Sequence, residues 1–581
     1  MRARRIVRRV PDPARLAALP GHLHPVLRRV YAGRGIGEPG ELELGLDCLM
    51  PVGSLEGVQP AAELLAGCHS RGERVLVLGD FDADGATSTA LLVRQFRRLG
   101  FTDPLYLVPD RFRFGYGLSP EIVRVAAQRR PALIVTVDNG ISSLEGVAEA
   151  RRLGIEVLVT DHHLPGAELP EAAVIVNPNL PGSRFGSRAL AGVGVAFYLA
   201  AGLTRELRER GLLPAGADVN PAELLDLVAL GTVADVVPLD QNNRILVAQG
   251  LRRIRAGRCV PGIRALLEIA GRRLEDVIAQ DLAFQVGPRL NAAGRLEDMS
   301  LGIECLIADD PVRAGSLAAR LASLNAERRE IEAQMQREAL DQLEIQDPAA
   351  QGELPPGVCV FDAGWHQGVI GLVASRLKER LHRPVVAFAP GDPGWVKGSA
   401  RSVPGVHVRD VLDAVAKRKP GLLERFGGHA MAAGMTLDAS RLEEFQQAFA
   451  VEVARWVDTD TLAGDLHTDG ALGAGELVME TALALREGGP WGAAFPEPSF
   501  DGTFGVIDSR IVGERHLKLR LRQQDGEPLG AIAFRYLDDP AAAPVRSGDS
   551  LEMVYRVTAD EYAGRRRLQL VSEWLAPPPA R

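Results

Sequence analysis

Three short, mostly apolar runs constrain the N-terminal half of this chain more than any other feature: residues 74–79 (RVLVLG), 133–137 (LIVTV) and 155–160 (IEVLVT). Runs of that length and character read as strands buried on both faces. Stretches with helical periodicity lie between them, at 86–99, 121–129 and 144–153. The first and last of these are followed by Gly100 and Gly154, and glycine after the last turn supplies the left-handed residue that ends a helix. Residues 105–108 and 174–176 read as two further strands. Strands alternating with helices predict a doubly wound, mainly parallel α/β sheet.

The rest of the chain is organised differently. A length of 581 residues suggests about three or four domains, and 46% apolar with 24% charged residues excludes disorder as the main state. Residues 1 to about 70 read as a mostly helical preface, and 189–300 as mostly helical. One long helix is expected from 312 to 344, with Leu317, Leu321, Leu324, Ile331 and Met335 forming an apolar stripe that faces a core. The polar, proline-bearing stretch 347–357 (DPAAQGELPPG) reads as a linker. A second α/β unit begins at Val358, with a turn and helix at 364–377, a strand at 385–389 and a glycine-rich turn at 425–434. From about 460 onward, short strands and turns predict a small β-barrel or sandwich.

Charge and cysteines narrow the class of protein. The formal net charge is −8, which argues against a chain that coats nucleic acid over its whole surface and leaves room for a local basic groove. No run of about 18 apolar residues argues for a membrane span. The arginine-rich start lacks an apolar segment behind it, so no secretory signal is expected, and Pro11 and Pro13 cut short any amphipathic transit helix. The five cysteines, at 48, 68, 259, 305 and 359, form no CxxC pair, so neither a disulfide framework nor a zinc site is expected and a reducing cytoplasm fits.

Acidic residues and histidines follow the expected strands. The first ends in Asp80-Phe81-Asp82-Ala83-Asp84-Gly85, the next in Asp138-Asn139-Gly140, and the third in Asp161-His162-His163. Asp235 follows an apolar helix in GTVADVVPL. In open α/β sheets, ligands bind beyond the carboxyl ends of the strands. Each aspartate alone could be an ordinary helix cap or turn residue. Crowded together they repel one another and call for cations. Asp80, Asp82, Asp84, Asp138 and Asp235, with one nitrogen from His162, form an oxygen-rich set suited to two Mn²⁺ or Mg²⁺ ions. Two such ions about 3.5–4 Å apart clamp a phosphoryl group and activate water, so no serine or cysteine nucleophile is needed. Asp138, His162 and His163 are the candidate catalytic residues. Asp80 either binds directly or supports a ligand, Asp161 caps the turn or orients a histidine, and His163 contacts phosphate or acts as a general acid.

GDFDADG, VDNG, DHH and GTVADVVPL, in that order, resemble the four motifs of the DHH phosphoesterase superfamily. GPRLNAAGR (287–295) and GPWGAAFPEPSF (489–500) resemble the RecJ family within it, the bacterial single-strand-specific DNA exonucleases. GWHQGVIG (364–371), KGSARS (397–402) and FGGHAMAAG (426–434) resemble the accompanying DHHA1 domain. The resemblance spans about residues 40–575. It implies a preface (1–70), a DHH domain (71–310), a connecting helix (311–346), a DHHA1 domain (347–455) and an OB-like nucleic-acid-binding barrel (456–581).

The resemblance also implies roles. Arg289, Asn291 and Arg295 would line the nucleotide path, and Ser399, Arg401, Gly428 and His429 would hold the 5′-terminal phosphate or nearby backbone. Arginine's fixed fork of donors suits phosphate, and glycine turns let amides approach an anion. By themselves the arginines also read as salt-bridge residues, and Gly427 and Gly428 as a turn. His366 either caps a helix or joins this set. Residues 111–117 (RFRFGYG) mix cations and aromatics, which makes Arg111 and Tyr116 candidate substrate contacts or members of a packed loop. His516, Lys518, Arg520 and Arg522 alternate with leucines, placing a basic face on one side of a strand, and Arg565–Arg567 could extend it.

The implied function is a cytoplasmic, monomeric 5′-to-3′ exonuclease that releases mononucleotides from single-stranded DNA in recombination and repair. The DHH and DHHA1 domains would flank a groove too narrow for a duplex. A single-strand-binding protein and a RecQ-type helicase are the implied partners. Two alternatives stay open: a nuclease acting mainly on RNA or short oligonucleotides, and a non-catalytic replication scaffold, against which the intact acidic positions argue.

Overall fold

A computed structural model describes residues 4–110, 114–214, 216, 218–346, 355–457, 464–523, 526–538, 542, 544–562 and 565–577. Its contacts divide the chain into two compact units, one of residues 8–324 with 468–581 and one of 1–7 with 325–467.

The larger unit is built on a five-stranded, all-parallel sheet. Its strands are β1 (Val75–Leu78), β2 (Leu105–Leu107), β3 (Leu133–Val137), β4 (Glu156–Thr160) and β5 (Val174–Val176), in the order β2-β1-β3-β4-β5. The fold is doubly wound because alternate side chains enter separate cores. Leu76, Leu78, Ile134, Val157 and Val159 pack with Leu118, Ile122 and Val147 on one face. Val75, Val77, Leu133, Val135 and Leu158 pack on the other, against helices α1 (Ala83–Leu99), α4 (Gly192–Glu209) and α5 (Leu225–Ala234). Helices α2 (Pro120–Ala127) and α3 (Leu144–Arg152) cover the first face.

One boundary moves in a way that matters. Helix α1 begins at Ala83, three residues before the expected start, because the Asp82 carboxylate accepts the Gly85 amide at 2.9 Å and caps it. Asp84 therefore sits inside the first helical turn, with Gly85 tolerated there. Gly100 ends the helix in the left-handed conformation, as expected.

A five-stranded barrel closes the larger unit's C-terminal part, so the outcome is barrel and not sandwich. It comprises Phe500–Val512, His516–Arg522, Leu529–Ala533, Ser550–Tyr562 and Arg565–Ala576. Closure comes from the last strand, which pairs parallel with Leu529–Ala533 and antiparallel with Ser550–Tyr562.

The smaller unit is a mixed α/β sheet. Val358–Phe361 and Val385–Pro390 pair in parallel, and Trp395–Arg401, Ala432–Asp438 and Arg425–Gly428 follow antiparallel. Its core includes Val386, Phe388, Leu437, Phe445 and Phe449. The expected glycine-rich turn at 425–434 is a hairpin of two strands, with Gly427 opposite Gly434 and Gly434 opposite Ser399. The expected turn and helix at 364–377 are both present: the His366 ring accepts the Gly368 amide within the turn, and the helix runs from Ile370 to Leu381, four residues past the expected end. The long helix is present as Pro311–Gln346 and runs from one unit into the other; Leu321, Leu324 and Met335 of its stripe are buried. Residues 347–354 of the expected linker lie outside the described residues. No helix among the described residues is long and apolar enough to cross a membrane.

Candidate active site

The site lies at the carboxyl ends of β1, β3 and β4, where each strand delivers one acidic segment. Asp138 directly follows β3 and takes φ +62°, a left-handed conformation that aspartate tolerates better than most residues. Its amide donates to Thr160 O, and Asn139 Nδ2 donates to Val137 O and Leu78 O, tying together the ends of adjacent strands. Gly192, at the start of α4, is obligatory by proximity. A Cβ there would stand 2.6 Å from the Asp138 Cβ. The same helix start donates its Gly192 and Val193 amides to the two carboxylate oxygens of Asp84, at 2.6 and 2.9 Å. Asp84 thus anchors a helix terminus as well as facing the cluster.

Three groups of side chains converge here: Asp138 with His162 and His163, Asp84 with His162 and Asp235, and Asp80 with Asp82 and Asp138. In each, one ligand atom per residue lies within 4.8 Å of the others. His162 Nε2 is 3.1 Å from Asp138 Oδ1 and 3.5 Å from Asp235 Oδ2. All six expected metal ligands are therefore in one place.

The electrostatics are those of a site short of positive charge. Burial, followed by the charges of Asp235 and Asp82, pushes the Asp84 carboxyl well above the usual range. Asp138 is raised in the same way, by burial and then by Asp84, Asp82, Asp235 and Asp80. Asp235 rises to about 7, again through burial and then Asp82. His162 is pushed down to about 4 by burial and by His163, which keeps it neutral and able to donate a lone pair. Buried Asp138 Oδ1 and His162 Nε2 make no hydrogen bond among the described residues. Neutral imidazole and crowded, unpaired carboxylate oxygens fit hard divalent cations.

Asp161 serves a different purpose. Its carboxylate accepts the amides of Ile141, His162 and His163 and the Nδ1 proton of His163, the last at 2.7 Å. Burial would lower His163, but the hydrogen bond and charge of Asp161 override it and raise His163 to about 9. The Tyr116 hydroxyl donates to Asp138 O and lies 3.2 Å from His163 Nδ1. Arg111 lies outside the described residues.

Sequence reasoning missed Asn177 and Asn179. Their side-chain amides donate to His163 O and His162 O, so both histidines are fixed through their own backbone. The available signal was Asn-Pro-Asn directly after strand β5. A cavity of about 930 Å³ in the same unit was also missed; Arg252, Arg255, Arg486 and Arg566 line it together with Phe284 and Phe534. Its residues come from segments more than 300 positions apart, so no local pattern announces it.

Helix α6 (Gly287–Leu296) backs the acidic loop. Asn291 Oδ1 accepts the Ala83 amide at 2.8 Å, and a Cβ on Gly294 would strike Phe81 O. Asn291 thus braces the start of α1. Arg295 lies one turn along, on the face of Asn291, whereas Arg289 is two residues away on another face and donates to Gln285 O. The three residues do not form a single row.

In the smaller unit, Ser399 and Arg401 share a strand, and Arg401 Nη1 donates to Ser399 Oγ at 3.0 Å. Burial lowers the Arg401 pKa. Gly428 and His429 lie at the hairpin end, where the His429 amide donates to Ala432 O and Ala432 pairs with Arg401. On the barrel, Leu517, Leu519 and Leu521 are buried while Lys518, Arg520 and Arg522 face outward, as the alternation requires. His516 is partly committed, since its Nδ1 accepts the Arg535 amide.

Comparison with known proteins places this architecture. Residues 74–232 match the model of the DHH family, N-terminal domain, residues 355–455 the DHHA1 domain, and residues 468–573 the RecJ OB domain. Fold and site thus define a DHH phosphoesterase carrying DHHA1 and OB domains. The single-stranded-DNA-specific exonuclease RecJ of Dickeya dadantii is 52% identical over 97% of this chain and 98% of its own length. That of Escherichia coli is 51% identical, covering 97% of each chain. The crystal structure of RecJ from Thermus thermophilus in complex with Mn²⁺ superposes with a TM-score of 0.80 at 31% identity, covering 99% of this chain and 80% of that one; a Mg²⁺ complex gives 0.76. The chain belongs to the RecJ family.

Proposed function

We propose that this chain is a divalent-metal-dependent exonuclease that degrades single-stranded DNA from its 5′ end to 5′-mononucleotides. One observation carries the reading: the unpaired convergence of Asp138 Oδ1 and His162 Nε2 inside a set of mutually repelling carboxylates, in a chain half identical to single-stranded-DNA-specific exonucleases. Asp80, Asp82, Asp84, Asp138, His162 and Asp235 would hold two Mn²⁺ or Mg²⁺ ions. Such ions, when bound, make water a nucleophile near neutral pH and neutralise charge on the reacting phosphate.

The chain's own groups supply the rest. His163, kept protonated by Asp161, offers its remaining ring N–H to a phosphate oxygen or to the leaving oxygen. Tyr116 fixes the Asp138 backbone beside it, and Arg111 belongs to the same substrate set. Asn291 holds the acidic loop, with Arg295 on the same helix face and Arg289 on another. Ser399, Arg401, Gly428 and His429 take the 5′-terminal phosphate, which would give the half-buried Arg401 guanidinium, hydrogen-bonded to Ser399 Oγ and Ala400 O, a charged partner. Lys518 and Arg520 on the outer barrel face track the strand backbone.

The domain boundaries inferred from sequence, a monomeric state, a cytoplasmic setting, and work beside a single-strand-binding protein and a RecQ-type helicase in recombination and repair belong to the same reading. The test is one single-stranded DNA, labelled separately at each end, incubated with Mn²⁺. Early release of labelled mononucleotide from the 5′ end, lost in Asp138→Ala, is expected. Early release from the 3′ end would reverse the polarity and remove the role of Ser399 and Arg401. Faster cleavage of matched RNA would favour the ribonuclease alternative.

A further inference from the structure

Val236, the residue after Asp235, adopts φ +63°. A β-branched residue in the left-handed region is a steric outlier, because its Cβ crowds the backbone in a conformation natural to glycine and tolerated by asparagine or aspartate. The surrounding loop holds it there. The Asp235 amide donates to Gly231 O at 2.9 Å, the Leu239 amide to Ala493 O at 2.8 Å, and Asn243 Nδ2 to Pro238 O at 2.9 Å. Burial gives nothing back for the strain. Val233 and Leu239 on either side are buried, while Val236 is 66% exposed. A strained, branched, apolar side chain therefore stands in solvent one residue from a carboxylate of the acidic cluster. Asp138, a member of that cluster, also takes a left-handed φ, +62°, which an aspartate tolerates better than a valine, and its side chain serves the site. Strain held in place by its surroundings and unrewarded by packing marks a residue aimed at a partner.

We propose that Val236 is a substrate contact, packing against the C–H surface of the sugar and the face of the base of the nucleotide whose phosphate lies at the Asp235 cluster. This rests on the nuclease reading. The acidic groups would engage the phosphate through the metal ions they hold, and successive α-carbons are only ~3.8 Å apart, so Val236 falls within reach of the same nucleotide. Its two methyl groups suit the sugar and base far better than a phosphate.

The test uses Val236→Gly, Val236→Asn and Val236→Ile in the full chain with a short single-stranded oligonucleotide and Mn²⁺. Glycine and asparagine relieve the strain, so their unfolding midpoints in urea should equal or exceed that of the natural chain. Their KM should rise at least about five-fold with little change in kcat or in the half-activating Mn²⁺ concentration, while Val236→Ile keeps the natural KM. Strand binding in Ca²⁺, followed by fluorescence anisotropy, should show the same contrast without turnover. A natural chain that binds the strand and cleaves nothing would sink the nuclease reading, and the binding contrast would still decide the contact. Unchanged KM and Kd in a stable Val236→Gly would overturn the proposal. So would a lowered unfolding midpoint, which would make Val236 structural, or a parallel shift in Mn²⁺ requirement, which would place its effect on Asp235.

Discussion

His162 Nε2 and Asp138 Oδ1 lie 3.1 Å apart at the ends of adjacent parallel strands, both buried, and neither makes a hydrogen bond among the described residues. Polar atoms in that condition cost stability unless a ligand satisfies them. Asp138→Asn keeps the shape and removes one repelling charge. It should stabilise the metal-free protein by on the order of 1 kcal/mol in urea unfolding, since each pKa unit of relieved repulsion is worth about that much. The same variant should lose at least about a hundred-fold in cleavage. Loss of activity together with loss of stability would contradict the crowded-charge account.

The same crowding sets a pH dependence. Asp235 is raised to about 7, and Asp84 and Asp138 are raised as well, through burial and mutual repulsion. Carboxyls raised on folding bind more protons folded than unfolded, so their contribution is greatest at low pH and is lost as pH climbs through the folded pKa. Between about pH 5 and 8, metal-free stability should therefore fall from this source. Mn²⁺ needs the deprotonated groups, so its stabilising effect should grow over the same interval. Thermal melts with and without Mn²⁺ at pH 5.5 and pH 8 check both slopes; an equal Mn²⁺ effect at the two pH values would separate the cluster from metal binding.

Asp161 is the residue whose role is most easily mistaken. It carries three amides and the His163 ring, and it belongs to none of the metal-suited groups. His163 is raised to about 9, so the stability it contributes is complete below its unfolded pKa and is lost as pH rises through the folded value. Asp161→Asn should cost about 1.5–3 kcal/mol, the range for hydrogen bonds to a charged group. It should also bring the alkaline limb of kcat/KM down towards an ordinary histidine value. A profile that keeps its alkaline limb would take His163 out of the reaction.

Much of this was legible in sequence because the chemistry is attached to strand ends. Uninterrupted apolar runs locate the parallel strands, and whatever follows each run falls on the same edge of the sheet, as Asp80, Asp138 and Asp161 do. What was not legible depends on closure in three dimensions. Asp84 looked like one more strand-end residue, and only the seating of α4 shows its carboxylate taking the amides of Gly192 and Val193. Asn291 was expected only to line the nucleotide path, and its acceptance of the Ala83 amide, which braces the acidic loop, depends on a contact between segments more than 200 residues apart. The backbone angle of Val236 has no sequence signal, because strain appears only when a valine stands where a glycine would be easier.

The N-terminal preface is fastened by a buried ion pair. Arg34 meets Asp469 through two parallel bonds of 2.7 and 3.0 Å, with side chains only 1% and 2% exposed, and its guanidinium lies 5.2 Å from the Trp491 ring centroid. Breaking such a pair strands a charge in the interior. Arg34→Ala should cost about 3–5 kcal/mol. Arg5, which meets Asp465 at 2.8 Å with 68% of its side chain exposed, makes the contrast: Arg5→Ala should cost less than about 1 kcal/mol. Urea unfolding of the two variants compares them directly, and equal costs would mean that burial does not govern these pairs.

The barrel separates binding from folding on alternate residues of one strand. Leu517, Leu519 and Leu521 fill its interior, and Lys518, Arg520 and Arg522 face outward. Leu519→Ala should destabilise by about 2–5 kcal/mol, whereas Lys518→Ala and Arg522→Ala should leave unfolding nearly unchanged. If this face tracks a single strand, each lost phosphate contact should reduce the slope of log K against log salt by about 0.7. Arg520 is a special case, because Asp508 stands opposite it on the neighbouring strand, whereas Lys518 stands opposite Arg510. Cross-strand partners that close share a face, so Asp508 diminishes the positive potential around Arg520. Asp508→Asn should then tighten strand binding at low salt, and the gain should fade as salt screens it. Binding isotherms across a salt series measure all four variants. If Lys518→Ala, Arg520→Ala and Arg522→Ala keep the natural slope, the strand runs elsewhere, and the arginine-lined cavity with Phe284 and Phe534 becomes the next surface to mutate.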